Sequence, residues 1–123
     1  SVVSLDADPA VFPYLDAVAE LNNVTTTPMV RRFEALKKTQ LADFDLLVAA
    51  DVCFWDDLVK PVGKLIDRAI DAGVGQIVIA DPERPTFHDM AEKAINRHGG
   101  ELIHWSLKGQ LKATGALLVI NNQ

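Results

Sequence analysis

Up to His98 the chain alternates short apolar runs with longer amphipathic stretches. This pattern constrains the fold more than any other feature. Two strands separated by a helix-length segment pair in parallel, with the helix crossing one face of the sheet. A series of such units makes a mostly parallel sheet covered by helices on both faces. The apolar runs are residues 2–5, 24–27, 45–50 and 76–80, and residues 45–50 read as the clearest buried strand.

The punctuation supports this reading. Asp8 is placed to cap a helix that Pro9 opens. Val11, Leu15, Val18 and Leu21 follow at helical spacing up to Asn22-Asn23. Pro28 suggests the end of the second strand, and Phe33, Leu36 and Leu41 fit a short helix. A further helix carries Leu58, Val62, Leu65, Ile66, Ala69 and Ile70 and stops at Gly73, with Pro61 admissible in its first turn alone. Thr86, with Asp89 three residues on, resembles a capping box for a third helix, which Gly99-Gly100 ends. The tail differs. Residues 101–107 and 116–120 read as strands joined only by a short polar link, Lys108 to Gly115. A parallel crossover needs roughly a dozen residues, so an antiparallel pair is expected.

The 123 residues suffice for one domain, and 49% hydrophobic with 24% charged residues describes a globular chain. A net charge of −5 argues against an electrostatic nucleic-acid binder, although a local patch could still hold such a substrate. Cys53 is the single cysteine, which excludes an intrachain disulfide and fits a cytoplasmic setting. No apolar run approaches the roughly 18 residues of a membrane span, and residues 1–6 do not read as a signal peptide.

Ligands of such sheets bind beyond the carboxyl ends of the strands. Asp6, Asp51 and Asp81 stand at three of those ends. A carboxylate there can accept hydrogen bonds from a ribose diol. The structural alternatives are that Asp8 caps a helix and Asp81 opens a turn before Pro82. Asp51 precedes the aromatic pair Phe54-Trp55, which either closes over a flat ligand or amine or packs against the next helix. His88, His98 and His104 fall on different elements without metal-ligand spacing, and no metal site is expected. Cys53 reads as a buried, inert thiol. The glycines form no phosphate-binding loop.

In order and spacing these segments resemble class I S-adenosylmethionine-dependent methyltransferases. Val2-Val3-Ser4-Leu5-Asp6-Ala7-Asp8-Pro9 is similar to the family's second strand, and Ala19-Glu20-Leu21-Asn22-Asn23-Val24 to the pattern that ends the following helix. Phe44-Asp45-Leu46-Leu47-Val48-Ala49-Ala50-Asp51-Val52 resembles the fourth strand. Ala80-Asp81-Pro82-Glu83-Arg84-Pro85 looks like the fifth-strand exit of the branch holding nicotinamide N-methyltransferase-like and protein-lysine methyltransferases. The resemblance implies a Rossmann-like α/β sheet, mostly parallel with an antiparallel last strand. It implies S-adenosylmethionine as cofactor, with Asp6 on its ribose and Ala7, Arg32, Phe33 and Ala50 beside it. It places methyl transfer at Asp51 and Trp55, to a nitrogen of a protein side chain or small molecule.

The chain departs from the family at two places. The family's first strand and its glycine-rich loop, which holds the methionine end of the cofactor, are not in residues 1–123. On this reading these residues are the carboxyl-terminal part of a methyltransferase domain and are inactive alone. The lost strand would lie between residues 2–5 and 45–50, leaving a gap for an upstream segment of a longer chain or for a partner chain. The acid often found after the third strand is also replaced; Arg32 and Phe33 fall there. Two other readings compete. A receiver domain with phosphoacceptor Asp51 would use Lys60-Pro61 as its signature, but that pair follows the wrong strand. A non-catalytic α/β interaction module would account for the lost loop.

Overall fold

Ile77 and Ile79 expose no surface, and the strand that carries them organises most of the fold. This strand, β4 (Gln76–Asp81), pairs in parallel with β3 (Leu46–Ala50) and antiparallel with β6 (Ala113–Asn121). β5 (Glu101–Leu107) pairs antiparallel with β6 and completes the order β3-β4-β6-β5. The computed structural model describes residues 1–122. The chain divides into two compact units, Ser1–Leu36 and Lys37–Gln123.

In the larger unit the register settles which side chains share a face. Ile77 lies opposite Ile120, Ile79 opposite Leu118, and Asp81 opposite Ala116. All six are buried. Helix α3 (Asp56–Ala72) buries Val62, Leu65, Ile66 and Ala69, and helix α4 (Pro85–His98) buries Phe87, Met90, Ala91 and Ala94. Both stripes follow the i, i+3, i+4, i+7 spacing of one helix face, and with the sheet residues they form the core. The opposite sheet face is also apolar. It carries Leu46, Val48, Val78, Leu117, Val119, Ile103 and Trp105, and no helix of this unit buries it. A short helix, α2 (Lys38–Leu41), precedes β3.

Glycines fix two details. Gly73 ends α3 in the left-handed conformation, at φ 89°. Gly115 lies directly under the Trp105 ring, where a Cβ would come within 2.5 Å of the indole.

The smaller unit holds β1 (Val3–Asp6), α1 (Phe12–Leu21) and β2 (Thr27–Val30). β1 and β2 are parallel, with Asp6 opposite Val30. A single 3-10 turn, Pro9–Val11, precedes α1, and Asp8 caps it by accepting from the Ala10 amide at 2.9 Å.

The strand alternation and the antiparallel closing pair match the sequence reading. Several local expectations do not. The second strand starts at Thr27, not at residue 24, and Pro28 lies inside it. Within its unit β2 has one neighbour, so proline's missing donor need not break a ladder. The expected helix around Phe33 shrinks to a 3-10 turn, Phe33–Ala35. α3 begins at Asp56, so Pro61 sits in its second turn rather than its first. Thr86 does not cap α4, because its hydroxyl donates to the Cys53 carbonyl, and Asp89 pairs with Lys93 at 3.2 Å instead of closing a capping box. Residues 45–50 are not buried. β3 is the edge strand of its sheet, and Leu46 and Val48 are 49% and 62% exposed. Both side chains lie on the sheet face that no helix of this unit covers, and β3 is paired along one edge.

Asp67 of α3 clasps the end of α4, meeting His98 Nε2 at 2.6 Å and Arg97 Nε at 3.2 Å. Burial pushes its carboxyl upward. The His98 hydrogen bond and the Arg97 guanidinium outweigh this and hold it below the usual 3.8.

Two measurements check this architecture. In residues 1–123, Ile79→Ala is expected to cost about 2–5 kcal/mol by urea unfolding, and Val48→Ala less than about 0.5 kcal/mol; equal losses would contradict the edge position of β3. Because Asp67 has a depressed folded pKa, its contribution is complete above 3.8 and disappears as pH falls through the lower folded value. The melting-temperature gap between the parent and Asp67→Asn should therefore be open near about pH 7 and nearly closed near about pH 2.

Candidate functional site

The parallel strands β3 and β4 end side by side, because Ala50 is the register partner of Ala80. Their exits are tied together by a small polar network. Asp81, the last residue of β4, is 4% exposed yet carries a carboxylate. A charge this deep needs partners, and it has three. Oδ2 accepts from the Glu83 amide at 3.0 Å and the Arg84 amide at 2.8 Å, and Oδ1 accepts from the Arg84 guanidinium at 3.2 Å. The turn before Pro82 is thus real, and it also folds Arg84 back over the strand ends.

Arg84 then donates to Asp51 Oδ1 from the same Nη1 atom. The two carboxylates raise the guanidinium's affinity for its proton still further, the Asp51 hydrogen bond most of all. The Asp51 amide donates to the Ala80 carbonyl at 2.9 Å. Beside this clamp lies a second one. The Thr86 hydroxyl donates to the Cys53 carbonyl, and the Cys53 thiol points at the Thr86 carbonyl at 3.5 Å. Two of the non-glycine residues with positive φ, Asp51 at 57° and Glu83 at 78°, lie in these loops. Such conformations persist where surrounding contacts over-determine them, and here the clamps do so.

Trp55 is 66% exposed at the start of α3, and its ring meets Phe54 edge-on at 5.7 Å. Phe54 is exposed as well, so the pair is a surface feature of the loop after β3 rather than core packing. Glu83 continues the network outward, reaching His104 Nδ1 at 2.8 Å and His88 Nε2 at 3.5 Å. The third histidine, His98, belongs to the Asp67 clasp. Cys53 is 1% exposed, and burial, followed by the charges of Asp81 and Asp89, pushes its thiol up to about 11.

Ala50, Asp51 and Trp55 lie in the larger unit, and Asp6, Ala7, Arg32 and Phe33 in the smaller one. Asp6 ends β1, and its Oδ1 accepts from the Asp8 amide at 2.9 Å. Ala7 follows, exposed. The Arg31 amide donates to the Asp6 carbonyl at 3.0 Å, so the exits of β1 and β2 also lie together. Arg32 pairs with Glu34 at 3.2 Å, and Phe33 opens the 3-10 turn, half-buried. Sequence reasoning missed Arg84. The available signal was an arginine three residues after a strand-end aspartate, a spacing that lets one turn deliver its guanidinium back to that acid.

No family model and no curated protein sequence matches the chain. Solved structures do. The METTL16 methyltransferase domain aligns with a TM-score of 0.64 and 12% identity over 98% of this chain and 62% of its own. A human methyltransferase 10 domain containing protein gives 0.64 and 13%, over 98% and 60%. The N-methyltransferase NodS from Bradyrhizobium japonicum, in complex with S-adenosyl-L-homocysteine, gives 0.63 and 16%, over 98% and 65%. The fold is that of the Rossmann-like methyltransferases. The chain spans about three fifths of these methyltransferase structures.

In native residues 1–123, Cys53 should resist Ellman's reagent near about pH 8, since its thiol is both buried and protonated there. It should react within seconds in guanidinium chloride. Rapid labelling of the native chain would show that the Thr86–Cys53 brace opens.

Proposed function

We propose that residues 1–123 form the carboxyl-terminal part of an S-adenosylmethionine-dependent methyltransferase of the nicotinamide N-methyltransferase-like and protein-lysine methyltransferase-like branch, acting on a nitrogen of a protein side chain or small molecule in the cytoplasm. One observation carries this reading. The order β3-β4-β6-β5 with antiparallel β6, and the separate parallel pair β1-β2, each agree with a part of the family's sheet. The free edge of β3 fits a further parallel strand, supplied by an upstream segment or a partner chain. A strand there would bury the backbone donors and acceptors that β3 now leaves open. Among the described residues no helix is long and apolar enough to cross a membrane.

The residues present fit the ribose end of the cofactor. The Asp8 amide occupies one Asp6 carboxylate oxygen and leaves the other to accept from a diol. The flat groups of Phe33 and Arg32 suit the adenine, and the backbone around Ala7 suits close approach. The methionine end would be held by the glycine loop that residues 1–123 lack. The bound cofactor supplies the electrophilic methyl group. The chain's own residues must align the nucleophile and exclude water. Asp51 uses Oδ1 for Arg84, which leaves Oδ2 to accept a hydrogen bond from an incoming amine. Trp55 and Phe54 offer ring faces to the same amine, worth about 0.5–2 kcal/mol if it is charged.

The test uses a protein that includes the glycine loop. Asp6→Ala should weaken binding of S-adenosyl-L-homocysteine by roughly 2–4 kcal/mol, since hydrogen bonds to a charged group are worth about 1.5–3 kcal/mol each. Asp51→Asn and Trp55→Ala should lower turnover more than about tenfold, or 1.4 kcal/mol, at nearly constant melting temperature. Unchanged affinity removes Asp6 from the site. Activity that falls only with folded protein makes Asp51 and Trp55 structural.

A further inference from the structure

The cleft between α3 and α4, on the helical side of the larger unit, has no part in the methyl-transfer reading. It encloses about 330 Å3. Lys60 and Lys64 line it from α3, and Lys93 and Arg97 from α4. Its apolar floor includes Met90, which is buried. Asp67 contributes the one carboxylate on its walls, and Arg97 and His98 already engage it. Lys93 is paired with Asp89 at 3.2 Å, so the four cations face two carboxylates and the cleft keeps an excess of positive charge, carried by Lys60 and Lys64, in a chain of net charge −5.

Two features of the cleft run against helix stability. Lys60 and Lys64 stand at i, i+4 on α3, where like charges repel. Both are exposed, and neither forms a salt bridge among the described residues, although Asp56 and Asp57 lie one turn earlier. Gly63 lies between them in the helix interior, where glycine is less favourable than alanine. A Cβ there would sit 3.2 Å from Arg97 Nη2, so the missing side chain lets the guanidinium lie against α3. Departures from local rules recur at functional positions. Here both have the same effect, which is to gather positive charge around one hollow.

We propose that this cleft binds a phosphate ester. A phosphate carries up to two negative charges and three acceptor oxygens, so it can bridge cations on both helices at once. The arginine fork matches its oxygens, and lysines serve as point charges beside it. The hollow is larger than a lone phosphate needs, and its Met90 floor suits the apolar part of a larger ligand. The phosphate comes either from a free nucleotide or from a nucleic-acid backbone, which share this chemistry.

Residues 1–123 are titrated with two probes, ATP without magnesium and a fluorescein-labelled single-stranded RNA of about a dozen nucleotides, with affinity followed against salt. At least one probe should bind, and Lys60→Glu/Lys64→Glu should weaken it at least tenfold without lowering the melting temperature. Lys108→Glu/Lys112→Glu, in the exposed β5–β6 link, should bind as the parent does. Saturable binding of ATP assigns the cleft to a nucleotide; binding of RNA alone assigns it to a backbone phosphate. The proposal is overturned if neither probe binds at millimolar concentration. It is equally overturned if the α3 variant keeps its affinity, or if the link variant loses as much.

Discussion

The pairing of β4 along both of its edges is the interaction on which the larger unit depends. It hydrogen-bonds along both edges, in opposite senses, and supplies Ile77 and Ile79 to the core under α3 and α4. The two pairings have different consequences. The parallel one sets the exits of β3 and β4 side by side, and so creates a place for chemistry. The antiparallel one closes the sheet with a hairpin that needs no crossover. Asp81, at the end of β4, belongs to both outcomes: its side chain is buried opposite Ala116, and its carboxylate organises the loop that returns Arg84 to Asp51.

This arrangement changes how Asp51 is understood. In the sequence it stands as an isolated acid before two aromatic residues. In the structure it shares Arg84 with Asp81, so its negative charge is partly balanced before any substrate arrives. On the proposed reading its part is to orient an incoming amine through the oxygen that Arg84 leaves open. It also makes poor material for a phosphoacceptor, whose carboxylate must be free to react.

The fold was legible where periodicity and connection length both spoke. The link from Lys108 to Gly115 is too short for a crossover, and the antiparallel pair follows from that alone. The strand-end acids were legible because an apolar run that stops at an aspartate says where the chain leaves the sheet. Less was legible where a local rule competed with long-range pairing. Pro28 reads as a strand end, yet it is tolerated where one side of a strand is open. Thr86 has a cap's composition, but a carbonyl from another loop claims its hydroxyl. The burial of residues 45–50 could not be read correctly, because composition reports what a strand can bury and not whether anything covers its faces. Arg84 was missed because it contacts Asp51 across a span of sequence that no spacing rule covers. The cleft between α3 and α4 was invisible for the same reason: its cations lie on two helices and converge only after folding.

The Gly115–Trp105 contact has a consequence for how the hairpin finds its pairing. β5 and β6 both present apolar side chains on both faces, so hydrophobic patterning alone distinguishes neighbouring alignments poorly. The indole needs a position without a side chain beneath it, and β6 has one glycine. Sliding β6 by two residues keeps the faces but brings Ala113 or Leu117 under the ring, where atoms would overlap. The tryptophan therefore reads alignment as a key reads a notch, and trial pairings that miss the glycine stay loose enough to separate and start again.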